Sequence, residues 1–178
     1  SDHPDILSFS ARHSSDPTYY LLSPAEIIEK LKLQLQFKKS PRLDVVTESY
    51  IEFIEAGGKI LFGELTMDMV RGFLKRGAPL LTGLSATYLY RSAREIERNS
   101  RMEYDDIEGE PVGHFVVVSG YNINTRSALV ADPLNPNPMS DDHYYEVPLA
   151  RLIAAIMLGN LTSDANLLFI SPKKKRRK

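Results

Sequence analysis

The sequence predicts an α+β protein, with helices first and an antiparallel sheet afterwards. Between residues 24 and 75, apolar side chains recur at three- and four-residue spacing, the period of helices with one buried face. From residue 79 the pattern becomes extended, with a β-branched centre at Val116-Val117-Val118. Glycines at 57, 58 and 77 stop the helical stretches, and the change of period follows the last of them.

The elements follow in order. Residues 1–20 are polar and turn-rich, with a short extended stretch at residues 6–10. Ser23-Pro24-Ala25-Glu26 is a helix start: Ser23 as N-cap, Pro24 in the first turn, Glu26 closing a capping box. Ile27, Ile28, Leu31 and Leu35 carry this helix to about Phe37. Ser40-Pro41 repeats the signal for a second helix, whose apolar face is Leu43, Val46, Tyr50, Phe53 and Ile54. A strand over residues 59–62 leads to Thr66, an N-cap for a helix with Met69, Val70, Phe73 and Leu74 inward.

Residues 79–84 form a buried strand that is expected to continue through 86–90. Residues 91–112 are dense in charge and make an exposed excursion. Residues 114–121 form a strong strand, 122–125 a turn and 127–131 the returning strand. Pro133, Pro136 and Pro138 make 132–142 an irregular loop. A short strand at 144–147, a helix opened by Pro148 and running to about Leu158, and a strand at 167–171 complete the chain. Residues 1–22 are then a linking segment, 23–171 the folded domain and 172–178 a basic tail.

Composition limits the functions available. A chain of 178 residues, 43% hydrophobic and 25% charged, buries one ordinary core. No apolar run approaches the ~18 residues of a membrane span, and the start lacks a signal-peptide layout, so a soluble, cytoplasmic protein is expected. The absence of cysteine excludes disulfides, thiolate metal sites and thiol chemistry by this chain alone. Six of the 22 basic residues lie in the closing KKKRRK, which leaves 16 against 23 acidic residues and a body near −7. That body offers no basic face to nucleic acid; the tail from Lys173 to Lys178 offers weak polyanion binding at most.

The candidate site is His114 with Asp132. If the hairpin turn centres near Asn124, paired residue numbers sum to roughly 246–248, and His114 faces residues 132–134. A carboxylate beside an imidazole holds one tautomer, as a general base that must become imidazolium requires. Gly113 leaves room before the ring, and Gly120 permits close packing or a bulge. The same pair also serves as a plain structural hydrogen bond, with Asp-Pro opening a turn.

The run GHFVVVSGYN followed by ALVADPL resembles the histidine and aspartate strands of the bacteriocin-processing (double-glycine leader) cysteine peptidases, a papain-like family. GAPLLTGLSATYLYR, SDPTYY and YIEFIEAGG are similar to segments of its standalone bacterial members, so the resemblance covers roughly residues 16–171. It implies a papain-like fold and a peptide or protein substrate. His114 would be general base and Asp132 its orienting partner, with no cofactor and no metal. The family's nucleophile lies in a Cys-Gly-Pro run opening a helix, with an oxyanion-hole Gln upstream, and this sequence holds neither. The resemblance therefore implies a sheet lobe whose N-terminal nucleophile helix is missing, inactive by itself. The alternative is a catalytically dead peptide-binding module of the same fold.

Other features are weaker. Ser119 has the wrong parity to face His114, and Ser85 lacks a nucleophile-elbow context, so neither replaces the cysteine. His3, His13 and His143 show no metal-ligand spacing, and Asp141-Asp142-His143 is a solvated loop before it is a cation site. The acidic run around Asp105-Asp106 is a solvated face or the wall of a substrate cleft. Tyr88 and Tyr90 are expected on one strand face, as packing, with lining of the cleft as the lesser alternative.

Overall fold

In the computed structural model, which describes residues 5–10, 22–38, 41–61, 64–159 and 166–171, the helices begin where their caps place them. After strand β1 (Asp5–Ser10), helix α1 (Pro24–Phe37) opens on the expected capping box. The Glu26 N–H donates to Ser23 Oγ at 3.4 Å, and Glu26 Oε2 accepts from the Ser23 N–H at 2.7 Å. Helix α2 (Pro41–Glu55) packs on α1 through a small core of Ile27, Leu31, Ile51 and Ile54. Of the expected face, Ile54 is buried and Tyr50 and Phe53 pack at the margin of this core; Thr47 and Ile51, one position round from Val46 and Tyr50, complete the buried spine, and Leu43 and Val46 are half-buried. Gly57, at φ +92°, ends this stretch in a backbone conformation that costs a residue with a Cβ.

Strand β2 (Lys59–Leu61) matches the expected position up to Phe62, which lies outside the described residues. Helix α3 (Met67–Lys75) is capped by Thr66, whose Oγ1 accepts from the Met69 N–H at 3.2 Å, and it buries Val70, Phe73 and Leu74 as expected. Strand β3 (Leu80–Ser85) follows.

One expectation is corrected next, and a second gains detail. The extended run does not continue past Ser85. Ala86–Tyr90 forms a short helix, α4, because Ser85 Oγ caps it by accepting from the Tyr88 N–H at 3.3 Å. The charged excursion is exposed, yet it is ordered as a hairpin of β4 (Glu95–Arg98) and β5 (Arg101–Tyr104). Its turn residues, Asn99 and Ser100, both have positive φ, as a tight two-residue hairpin turn requires.

Strands β6 (Gly113–Asn122), β7 (Ser127–Ala131) and β8 (Tyr144–Pro148), helix α5 (Leu149–Leu158) and strand β9 (Asn166–Ser171) complete the fold as expected. Among the described residues, the main sheet has seven strands in the order β2-β1-β9-β3-β6-β7-β8. Every pairing in it is antiparallel except β1 with β2. The molecule is therefore α+β, with helices packed on a largely antiparallel sheet.

One sheet face is the core. Leu80, Thr82 and Leu84 of β3 stand opposite Val118, Val116 and His114 of β6. Val130, Tyr145, Val147 and Phe169 extend the same face. Helices α3 and α5 cover it with Phe73, Leu149, Leu152, Ala155 and Ile156; the Phe73 and Phe169 rings lie 3.7 Å apart between centroids. Residues of opposite parity, including Leu81, Phe115, Leu129 and Ile170, are exposed on the other face. Among the described residues, no helix is long and apolar enough to cross a membrane.

Candidate functional site

The hairpin of β6 and β7 brings His114 and Asp132 together, though not as direct neighbours. Val117 pairs with Ala131 and Val118 with Val130, a sum of 248, and a bulge between Val118 and Gly120 precedes the turn. Continued outward, that register sets residue 134 against His114 and Asp132 against Val116. Asp132 shares its parity with His114, so both fall on one face, and the two side chains bridge the diagonal. Nε2 of His114 lies 2.7 Å from Oδ1 of Asp132.

A carboxylate that only accepts requires the hydrogen on Nε2, so in the neutral ring it is Nδ1 that carries the lone pair. Nδ1 makes no hydrogen bond among the described residues and is not sealed from solvent. The ring is about a quarter exposed, whereas the Asp132 side chain is wholly buried.

Three further donors hold Asp132. The hydroxyls of Tyr90 and Tyr145 each donate to Oδ2 at 2.7 Å, and the Leu134 N–H donates to Oδ1 at 2.9 Å. Burial alone would raise the carboxyl pKa, but these bonds and the one from His114 outweigh it and hold the pKa below its ordinary 3.8. Burial and the adjacent carboxylate push both tyrosines above the ordinary range for a phenol, so they are fixed donors.

His143 fixes the backbone of Asp132. Its carbonyl accepts from the Asp132 N–H at 2.8 Å, and its Nδ1 donates to the Asp132 carbonyl at 2.8 Å. Its Nε2 then accepts from the Asn135 side-chain amide at 3.2 Å. The 132–142 loop is irregular, as expected, but it is tied closely to Asp132.

The structure brings the predicted pair His114 and Asp132 together; Tyr90, Tyr145 and His143, which complete the network around Asp132, are not among the residues the sequence predicts for the site. Tyr90 was expected as strand packing, yet α4 turns it toward the carboxylate. Tyr145 has a signal in retrospect: it is an inward-parity residue of β8 beside Val130, carrying a polar tip that must be satisfied when buried. The serines are explained otherwise. Ser85 caps α4, and exposed Ser119 sits at the bulge, where its hydroxyl reaches the Leu129 carbonyl. Among the described residues no group of three or more His, Asp or Glu side chains is arranged to hold a metal. His3, His13 and the tail from Lys173 to Lys178 lie outside the described residues.

No protein-family model matches this chain, and no curated protein does. Among solved structures it is similar to that of a "putative C39-like peptidase" from Bacillus anthracis, with a TM-score of 0.36 and 18% identity. The match covers 62% of this chain and spans half the length of the Bacillus protein.

Proposed function

We propose that this chain carries the general-base half of a papain-like cysteine peptidase or amidase site, acting on a peptide or protein substrate. The observation that supports it is the pairing of Nε2 of His114 with a buried, fully satisfied carboxylate while Nδ1 is left with its lone pair open. The resemblance of the two strands to the double-glycine-leader peptidases supports the same roles.

The sequence has no cysteine, so the thiol belongs to a segment outside it. In the reaction, Nδ1 of His114 takes the proton of that thiol, and the thiolate attacks the amide carbonyl. The imidazolium, its orientation held by Asp132, returns the proton to the leaving amine. Water then hydrolyses the thioester by the same route, restoring thiol and base. Tyr90, Tyr145 and His143 are positioning residues, acting through Asp132.

A quenched-fluorescence peptide library incubated with the full gene product tests this reading. Cleavage is expected to be blocked by iodoacetamide and abolished by His114→Ala, with this 178-residue chain inactive alone. A gene product without a cysteine, or cleavage unaffected by His114→Ala, overturns it. The lack of cysteine also favours a second reading, a peptide-binding module that holds peptides and never cuts them. Peptide binding by a gene product that has no cysteine would select it.

A further inference from the structure

Behind the start of β6 lies a cavity of about 650 Å³, between α4, the Pro111 segment and α5. Three arginines converge on it: Arg91 at the C-terminal cap of α4, Arg94 just beyond, and Arg151 in the first turn of α5. No carboxylate among the described residues lies within ion-pairing distance of any of them, whereas Arg98 nearby is held by Asp105, Glu108 and Glu103. The contrast matters because acidic residues outnumber basic ones across the body of the chain.

Arg91 and Arg94 are exposed, whereas Arg151 is partly desolvated. One Arg151 nitrogen donates to the Leu89 carbonyl at the end of α4, but its Nε is buried without a partner. Burial, and then the like charge of Arg91, lowers the Arg151 pKa. Such a cluster is stabilised by an anion, and a guanidinium fork matches a carboxylate or phosphate in two parallel bonds.

The rest of the cavity wall is largely apolar, with Tyr88, Pro111, Pro148 and Leu158 between the charges. From Arg151 to Leu158 it follows about 10 Å of α5, the length of about three extended residues. It opens beside the dyad's strand: Pro111 precedes His114 by three residues, and Ser85, which also lines it, pairs with Gly113.

We propose that this arginine pocket binds a carboxylate of a peptide, either an Asp or Glu side chain or the peptide's own C-terminus. The choice of a peptide rests on the function proposed above; the anion site rests on the arginines.

Fluorescence anisotropy on this chain tests it with three labelled hexapeptides of one neutral sequence. One has a free C-terminus, one is amidated with an internal Glu, and one is amidated and neutral. One or both acidic peptides are expected to bind about ten-fold more tightly than the neutral amide, and which one does so names the source. The double variant Arg91→Gln/Arg94→Gln should erase that preference while the ¹⁵N signals of His114 stay unchanged, which separates the pocket from the dyad. Arg151 is left intact because it holds α4. Equal affinity for all three peptides overturns the proposal, as does a preference that survives the double variant. Inorganic phosphate binding as tightly as the peptides also overturns it, in favour of a free-anion site. These outcomes need no thiol, so they are independent of the cleavage test.

Discussion

Asp132 gathers four donors within 2.9 Å on a side chain with no exposure, and the dyad depends on that completeness. Asp132→Ala would leave the Tyr90 and Tyr145 hydroxyls and the His114 ring unpartnered, and should cost roughly 3–5 kcal/mol in urea unfolding. A loss below about 1 kcal/mol would mean that the network contributes little. The pH dependence follows from the directions of the shifts. A folded carboxyl held below its ordinary 3.8 contributes stability that is complete above that value and lost as pH falls through the folded pKa. Asp132→Asn should therefore flatten the acid limb of stability against pH. The tyrosines run the other way: their raised pKa contributes stability below pH 10.0 that is lost as pH rises past it. Two of the nine tyrosines should stay protonated until the chain unfolds, and Tyr90→Phe and Tyr145→Phe should each remove one tyrosine from the absorbance step that accompanies unfolding, leaving the earlier titration unchanged.

At the scale of the element, α4 is a short helix with a long reach. Its cap, Ser85, ends β3; Thr87 Oγ1 accepts from the Val112 N–H at 3.0 Å; Tyr90 donates to Asp132. Alpha-helical turning, in place of a continued strand, is what brings Tyr90 to the carboxylate. Ser85→Ala should cost about 1 kcal/mol through the lost cap. It should also broaden or shift the ¹⁵N resonances of His114, since Tyr90 would be less firmly held. An unchanged His114 spectrum with the expected stability loss would show that Tyr90 does not depend on the cap.

Across the whole molecule, the two sheet faces differ in what they tolerate. Leu84, fully buried opposite His114, sits under α5, while Phe115 is 48% exposed on the other face. Leu84→Ala should cost about 2–5 kcal/mol, and Phe115→Ser less than about 1 kcal/mol, by the same unfolding measurement. Comparable costs would mean that the outer face is covered in solution. The α1–α2 pair has its own small core, distinct from the one beneath the dyad, so Leu31→Ala should leave the His114 spectrum unchanged.

What sequence alone determined was local. Capping at Ser23 and Thr66 spans three residues, glycine stops depend on one residue's φ, and strand parity has a period of two. With the turn centred near Asn124, the same arithmetic also placed Asp132 on the face of His114; the pairs next to the turn, such as Gly120 with Leu129, are one residue out of that register, and the bulge between Val118 and Gly120 restores it. Tertiary structure decided the rest. Tyr90 lies 42 residues from Asp132 in sequence and Tyr145 lies 13, and neither distance has a local signal. Ala86-Thr87-Tyr88-Leu89-Tyr90 has strand-like composition, and the Ser85 cap, the contacts to residue 112, the burial of Leu89 and the Arg151 bond to its carbonyl hold it as a helix. The His114–Asp132 dyad was therefore legible in one hairpin. The buried network that makes its carboxylate a firm acceptor needed distant elements to fold against it, because a charge removed from water must be satisfied from several directions.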